Sequence, residues 1–363
     1  MMTEAEKMSL YRKAAKKKEM LNREFYYLRS ILGNDWAIFY CLLGGREAGK
    51  SYACTSFFIY QWKTKGRPFY WLRLTEASAR KLLMNKAEKL IDPDIRRRWN
   101  LDLEVVGDAV YEVVNRDKKG KIKEKKLMAR VLALNTFYND KGSGLFDKDF
   151  LKDPNMFYNI ACDEFQREKN ERNTFDIVYA FTNQIENIVR STKQRLRIIL
   201  IGNTLEEASD IMCCFDFIPE KWGRYYLRKK RCVVEYMEPS EKYKARREGT
   251  VADILMPKAS TFTNEITVDK SLVYKGRLDS PNRVIMFSKN PEDWFTIWDG
   301  LVIKKYCNEK QPRVAMLPYL DERFIPEQRN NIMMLFDNRV FKYRDLITFK
   351  KFQKQLALIR PKK

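Results

Sequence analysis

Residues 44 to 51 read Gly44-Gly45-Arg46-Glu47-Ala48-Gly49-Lys50-Ser51 and satisfy G-x-x-x-x-G-K-[ST] at each fixed position. Glycines at these places let the backbone curl so that successive N–H groups converge on a β-phosphate. A helix starting there adds its positive N-terminus. Lys50 is spaced to reach the β- and γ-phosphates, and the Ser51 hydroxyl to ligate Mg²⁺. Further along, Asp163-Glu164 closes the apolar run MFYNIAC. An Asp at the tip of a buried strand serves as a Mg²⁺ ligand in such sites, and the adjoining Glu is placed to polarise an attacking water. Asn203 follows the run LRIILIG, where a polar side chain can sense the γ-phosphate. Arg190, Arg195 and Arg197 border the same strand, and any of them could reach a neighbouring subunit's phosphates as a finger. ATP and Mg²⁺ are the expected cofactors, and ATP hydrolysis the expected reaction.

These groups need a scaffold that brings distant segments to one edge. Trp36 to Leu43, Pro68 to Leu74, Met156 to Cys162 and Leu196 to Ile201 are short apolar runs of the kind buried in a parallel sheet. Helical patterns separate them, over Ser51 to Trp62, Glu76 to Leu90 and Thr174 to Arg190. Strands alternating with helices predict an α/β fold, a mostly parallel sheet with helices on both faces. Residues 102 to 134 read as an antiparallel excursion with a turn at Gly107-Asp108. Composition divides the chain into a basic helical leader (1–32), a P-loop ATPase domain (33–235), a polar linker (236–259) and a small α+β domain (260–363).

The chain of 363 residues has no histidine. That excludes imidazole acid–base chemistry, the Ser-His-Asp triad and almost every zinc site. Seven cysteines without CxxC spacing suit free thiols in a reducing compartment. No apolar run reaches a membrane span and Met1 to Arg23 is polar, so neither a membrane partner nor secretion is expected. The net charge of +22 favours a polyanionic partner. Two clusters are candidates for phosphate-backbone contact: Lys118, Lys119, Lys121 and Lys123 in one, Arg228, Lys229, Lys230 and Arg231 in the other. Either could instead be a solvated hairpin tip.

Three segments together resemble one family. GGREAGKSYA is similar to the P-loop of the DNA-packaging ATPases of phi-29-type bacteriophages, NIACDEFQREKN to their acidic motif, and VRSTKQRLRIILIGNT to their arginine-rich helix end and sensor strand. The resemblance covers about residues 35 to 230 and places the chain in the catalytic-glutamate (ASCE, RecA-like) class. It implies a homo-oligomeric ring, a pentamer at the portal vertex of a procapsid in the host cytoplasm, driving double-stranded DNA inward. It leaves open a structural packaging RNA as a further partner. Under it Lys50 and Ser51 bind phosphate and Mg²⁺, Asp163 holds Mg²⁺, Glu164 is the catalytic base, and Arg190 or Arg195 is the trans-acting finger. Lys141, in YNDKGSG, resembles a lysine facing the neighbouring site. The C-terminal part is expected to be an RNase H-like vestigial nuclease that grips DNA, portal or RNA. A helicase-type DNA-dependent ATPase and a terminase with an active C-terminal nuclease are the competing readings.

Overall fold

The computed structural model describes residues 23–140, 157–166, 175–189, 195–203, 209–255, 257, 270–279, 281–298, 301–307, 316–318 and 326–360. The leader up to residue 22, Lys141 and Arg190 lie outside the described residues. The chain forms two compact units, one of residues 1–205 with 219–266, the other of residues 206–218 with 267–363.

In the first unit, a short helix α1 (Arg29–Leu32) precedes β1 (Phe39–Gly44), α2 (Lys50–Lys65), β2 (Phe69–Arg73), α3 (Glu76–Ala87) and α4 (Pro93–Trp99). An excursion of β3 (Leu103–Val106), β4 (Ala109–Arg116) and β5 (Ile122–Ala133) follows, then β6 (Phe157–Asp163), α5 (Ile177–Val189) and β7 (Arg195–Asn203). After α6 (Asp210–Cys214), which belongs to the second unit, come β8 (Gly223–Leu227), β9 (Cys232–Tyr236), α7 (Glu241–Arg247) and α8 (Val251–Leu255). The nine-stranded sheet has the order β3-β4-β5-β2-β6-β7-β1-β9-β8. Its six inner strands from β5 to β9 run parallel, and only the flanking pairs β3-β4, β4-β5 and β8-β9 are antiparallel. The expected α/β class is therefore what the chain adopts.

The inner strands are apolar throughout because both faces are covered. β2 buries Phe69, Tyr70, Trp71 and Leu72 in succession. Helix α2 turns Cys54, Phe58 and Ile59 inward at helical spacing, and Phe58 meets Phe69 and Trp71 with ring centroids 5.1 and 6.4 Å apart. Burying a side chain of that size contributes about 2–3 kcal/mol. Gly66 ends α2 at φ 61°, its N–H donating to the Trp62 carbonyl, a left-handed termination that glycine adopts without steric cost.

The structure adds strands to one stretch and helices to another. Residues 223–236, read from the sequence only for the basic cluster they carry, form the β8-β9 hairpin at the end of the sheet, with Arg228 to Arg231 between its strands. Charged residues mask the alternation there: Glu235 is buried on β9, where Arg224 of β8 pairs with it at 2.8 Å. The segment 236–259, a linker by its polarity, instead carries α7 and α8 inside the first unit. Its Tyr243 and Arg247 are buried despite their polar neighbours.

The second unit holds α6, β10 (Pro281–Met286), β11 (Trp294–Trp298), β12 (Val302–Lys305), β13 (Met316–Pro318), α9 (Pro326–Asp337), β14 (Lys342–Tyr343) and α10 (Leu346–Ile359). Its sheet has the order β13-β10-β11-β12-β14, an antiparallel meander with a parallel strand on each side. Phe352 of α10 is fully buried and centres an aromatic cluster with Phe287, Phe295, Phe341 and Tyr343. Lys350 and Lys351 of α10 pair with Asp210 and Asp216, which ties residues 209–218 to this unit.

Candidate phosphate-binding and hydrolytic site

β7 lies between β1 and β6, with Gly44 level with Asn203 and Ile201 level with Asp163. β2 runs on the other side of β6, with Leu72 level with Cys162. The loop after β1, Arg73, Asp163, Glu164 and Asn203 therefore share one edge of the sheet, at the C-terminal ends of four parallel strands. Brought together from residues far apart in the chain, all of these but Arg73 are groups whose spacing suggested phosphate chemistry.

Gly49 takes φ 80°, and a Cβ there would stand 3.1 Å from the Phe25 side chain. Both the turn and the close approach require glycine at this position. Lys50 opens α2 and is buried; its Nζ donates to the carbonyls of Gly44 and Gly45 at 2.9 and 2.6 Å. Burial lowers its pKa to about 8, opposed by the charges of Asp163 and Glu164. Ser51 Oγ donates to Asp163 Oδ1 at 3.2 Å. Burial pushes the Asp163 carboxyl upward, against the pull of Arg73. A hydroxyl and a carboxylate side by side are hard oxygen donors that suit Mg²⁺, an ion that takes few protein ligands and completes its shell with water and phosphate oxygens.

Glu164 has a left-handed backbone, φ 54°, and its N–H donates to the Ile201 carbonyl at 2.9 Å. That turn leaves its carboxylate largely exposed beside Asp163 rather than on the opposite face of β6. Arg73 Nη1 lies 2.5 Å from Glu164 Oε2 and 3.5 Å from Asp163 Oδ2. Sequence reasoning misses Arg73. The signal is present, since PFYWLRL is closed by a cation just as MFYNIAC is closed by an anion.

The finger candidates fall elsewhere. Arg195 opens β7 at the far edge of the sheet, level with Phe157. Arg197 is engaged inside the unit, donating to Asn159 Oδ1 at 3.0 Å and stacking over Phe57 and Phe157. It is not poised to extend from the surface. Both basic clusters also lie at this far edge. β5 runs parallel to β2 with Phe69 level with Ala129, so Lys118, Lys119, Lys121 and Lys123 sit at and beyond the strands' N-terminal ends. Arg228 to Arg231 immediately precede β9, whose Cys232 is level with Phe39 at the start of β1. The four lysines are exposed, whereas Arg228 stacks on Trp36 at 4.1 Å and Arg231 Nε donates to the Trp36 carbonyl.

No protein-family model matches this sequence, and no curated protein matches it. Solved structures do. A chain of the bacteriophage Phi-29 viral genome packaging motor assembly superposes with a TM-score of 0.62 at 19% identity, covering 93% of this chain and 100% of that one. The Phi-28 gp11 DNA packaging motor superposes with a TM-score of 0.59 at 13% identity, covering 94% of this chain and 100% of that one. At these identities the likeness is one of fold. This chain has the fold of the phage packaging motors that its three motifs resemble.

Proposed function

We propose that this chain is an ATPase that works as a homo-oligomeric ring, a pentamer, moving double-stranded DNA into a viral procapsid. The observation that carries the reading is the convergence of the phosphate loop, Ser51-Asp163, Glu164 and Asn203 on one sheet edge within a fold shared with packaging motors. The loop amides and Lys50 bind the phosphates, and Ser51 and Asp163 hold Mg²⁺, which would neutralise charge developing on the γ-phosphate. Glu164 accepts a proton from water once its carboxylate leaves Arg73, because a base must have a free lone pair turned to the nucleophile. Asn203 stands level with the loop's first residue and reports on the γ-phosphate. The finger comes from a neighbouring copy, from Arg190 or Arg195.

The polyanion-binding surface is assigned to the edge opposite the nucleotide, where both basic clusters lie. Contacts there go to phosphates, so binding is indifferent to DNA sequence. The second unit serves as a non-cleaving grip on DNA, portal or packaging RNA. The antiparallel meander β10-β11-β12 with β13 parallel to β10 supports an RNase H-like core, to which β14 adds a parallel strand on the other side, and β10 (PNRVIM) carries no carboxylate. The protein would act in the host cytoplasm and at the portal vertex.

Phosphate release from ATP, with and without double-stranded DNA, tests the reading beside Lys50→Ala and Glu164→Gln. Turnover stimulated by DNA and abolished in both variants, with Glu164→Gln still binding ATP, is the expected result. Wild-type turnover in either variant would disprove the site assignment.

A further inference from the structure

The loop's backbone carbonyls are all engaged. Leu43 accepts from Met237 N–H, Gly44 and Gly45 from Lys50 Nζ, and Gly49 from Ala53 N–H of α2. The three between them are held from outside the loop. Arg46 O accepts from the Tyr243 hydroxyl at 2.9 Å, Glu47 O from Arg246 Nη2 at 2.6 Å, and Ala48 O from Tyr26 N–H at 2.8 Å. Each peptide is planar and trans, so a carbonyl held outward turns the next residue's N–H the opposite way. The amides so oriented are those of Glu47, Ala48 and Gly49, the stretch that would face a phosphate.

The donors are themselves braced. Tyr243 is buried, and the Ser240 hydroxyl caps α7 by accepting from its N–H at 3.0 Å. Arg246 packs on Phe25 at 4.6 Å and pairs with Glu24, while Arg247 pairs with Glu47. Tyr26 is anchored through its hydroxyl on Glu235, which Arg224 neutralises.

We propose that α7 is a backbone clamp on the phosphate loop, with Tyr243 and Arg246 as positioning residues that preset the amides of Glu47 and Ala48 for the β-phosphate. The clamp rests on the nucleotide-binding reading above. When Lys50 turns to the phosphates, the carbonyls of Gly44 and Gly45 lose their donor, and the externally held peptides keep the cradle's shape. Preorganised donors bind charge without a reorganisation cost. By linkage, nucleotide binding also steadies α7.

The test is the affinity of a fluorescent ADP analogue with Mg²⁺ for wild type, Tyr243→Phe, Arg246→Gln and Arg246→Lys, with exposed Lys244→Ala as control. Tyr243→Phe and Arg246→Gln are expected to weaken binding about fivefold each, the size set by removing one hydrogen bond. Arg246→Lys, which can still donate to the Glu47 carbonyl, restores affinity to within about twofold of wild type, and Lys244→Ala matches wild type. In turnover the effect falls on KM and leaves kcat unchanged, whereas a general loosening of the fold would lower kcat and the melting midpoint as well. Wild-type affinity in both Tyr243→Phe and Arg246→Gln would overturn the clamp alone. Failure of wild type to bind the analogue would instead overturn the nucleotide reading, and the clamp with it.

Discussion

The Arg73 guanidinium holds Glu164 at 2.5 Å and reaches Asp163 at 3.5 Å, so one cation from β2 serves both carboxylates at the end of β6. Asp163 is buried, and its charge is tolerable because this partner is present. Glu164 is largely exposed, so its own pairing with Arg73 contributes about 1 kcal/mol or less. An ion pair of that size is easily exchanged for another contact, which fits a group that must be released to act. Arg73→Gln is expected to leave ADP binding within about threefold and to bring the ratio of DNA-stimulated to basal turnover down toward one. Full stimulation in this variant would remove Arg73 from the control of Glu164.

Lys50 is the group through which pH acts on binding. Its pKa, lowered to about 8 by burial, leaves it partly neutral in mildly alkaline solution, and a phosphate favours the charged form. Binding should therefore take up a proton, increasingly so as pH rises through 8, and affinity should fall above that pH. Calorimetric titration in buffers of different ionisation enthalpy at pH 8 reads the uptake directly. Lys50→Arg, which stays charged, is expected to abolish the buffer dependence. A wild-type enthalpy independent of buffer would contradict the pKa shift.

The far-edge lysines should act by counterion release. Replacing Lys118, Lys119, Lys121 and Lys123 with Ala is expected to weaken binding of double-stranded DNA equally for unrelated sequences. For every DNA phosphate that no longer meets a lysine, the slope of log affinity against log salt should fall by about 0.9. Fluorescence anisotropy across a salt series measures both. An unchanged slope would identify this hairpin tip as solvated surface.

The second unit depends on Phe352, which packs among five aromatic rings. Phe352→Ala is expected to cost about 3–5 kcal/mol through reduced burial and an unfilled cavity. Because the two units have separate cores, nucleotide binding by the first should survive. Denaturant melts followed by tryptophan fluorescence, beside a nucleotide titration, separate the two effects. Loss of nucleotide binding in this variant would show that the units do not fold independently.

The mostly parallel sheet was legible in the sequence, as were the residues proposed for the site. Apolar runs such as WAIFYCLL and LRIILI are satisfied between neighbouring strands with both faces covered, and the spacing from Gly44 to Ser51 is the basis of the proposed phosphate loop. The composition could not show that polar stretches pair internally. The Glu235–Arg224 pair across β8 and β9 left no sequence signal, and Tyr243 with its arginines made α7 look like linker, although α7 carries the frame around the loop. Arg73 and Glu164 lie far apart in the chain, and their contact depends on strand order, which places β2 beside β6. Tertiary structure alone decided that pairing, the outward hold on the loop carbonyls and the gathering of both basic clusters at the far edge. Each arises from register between segments that no local pattern relates.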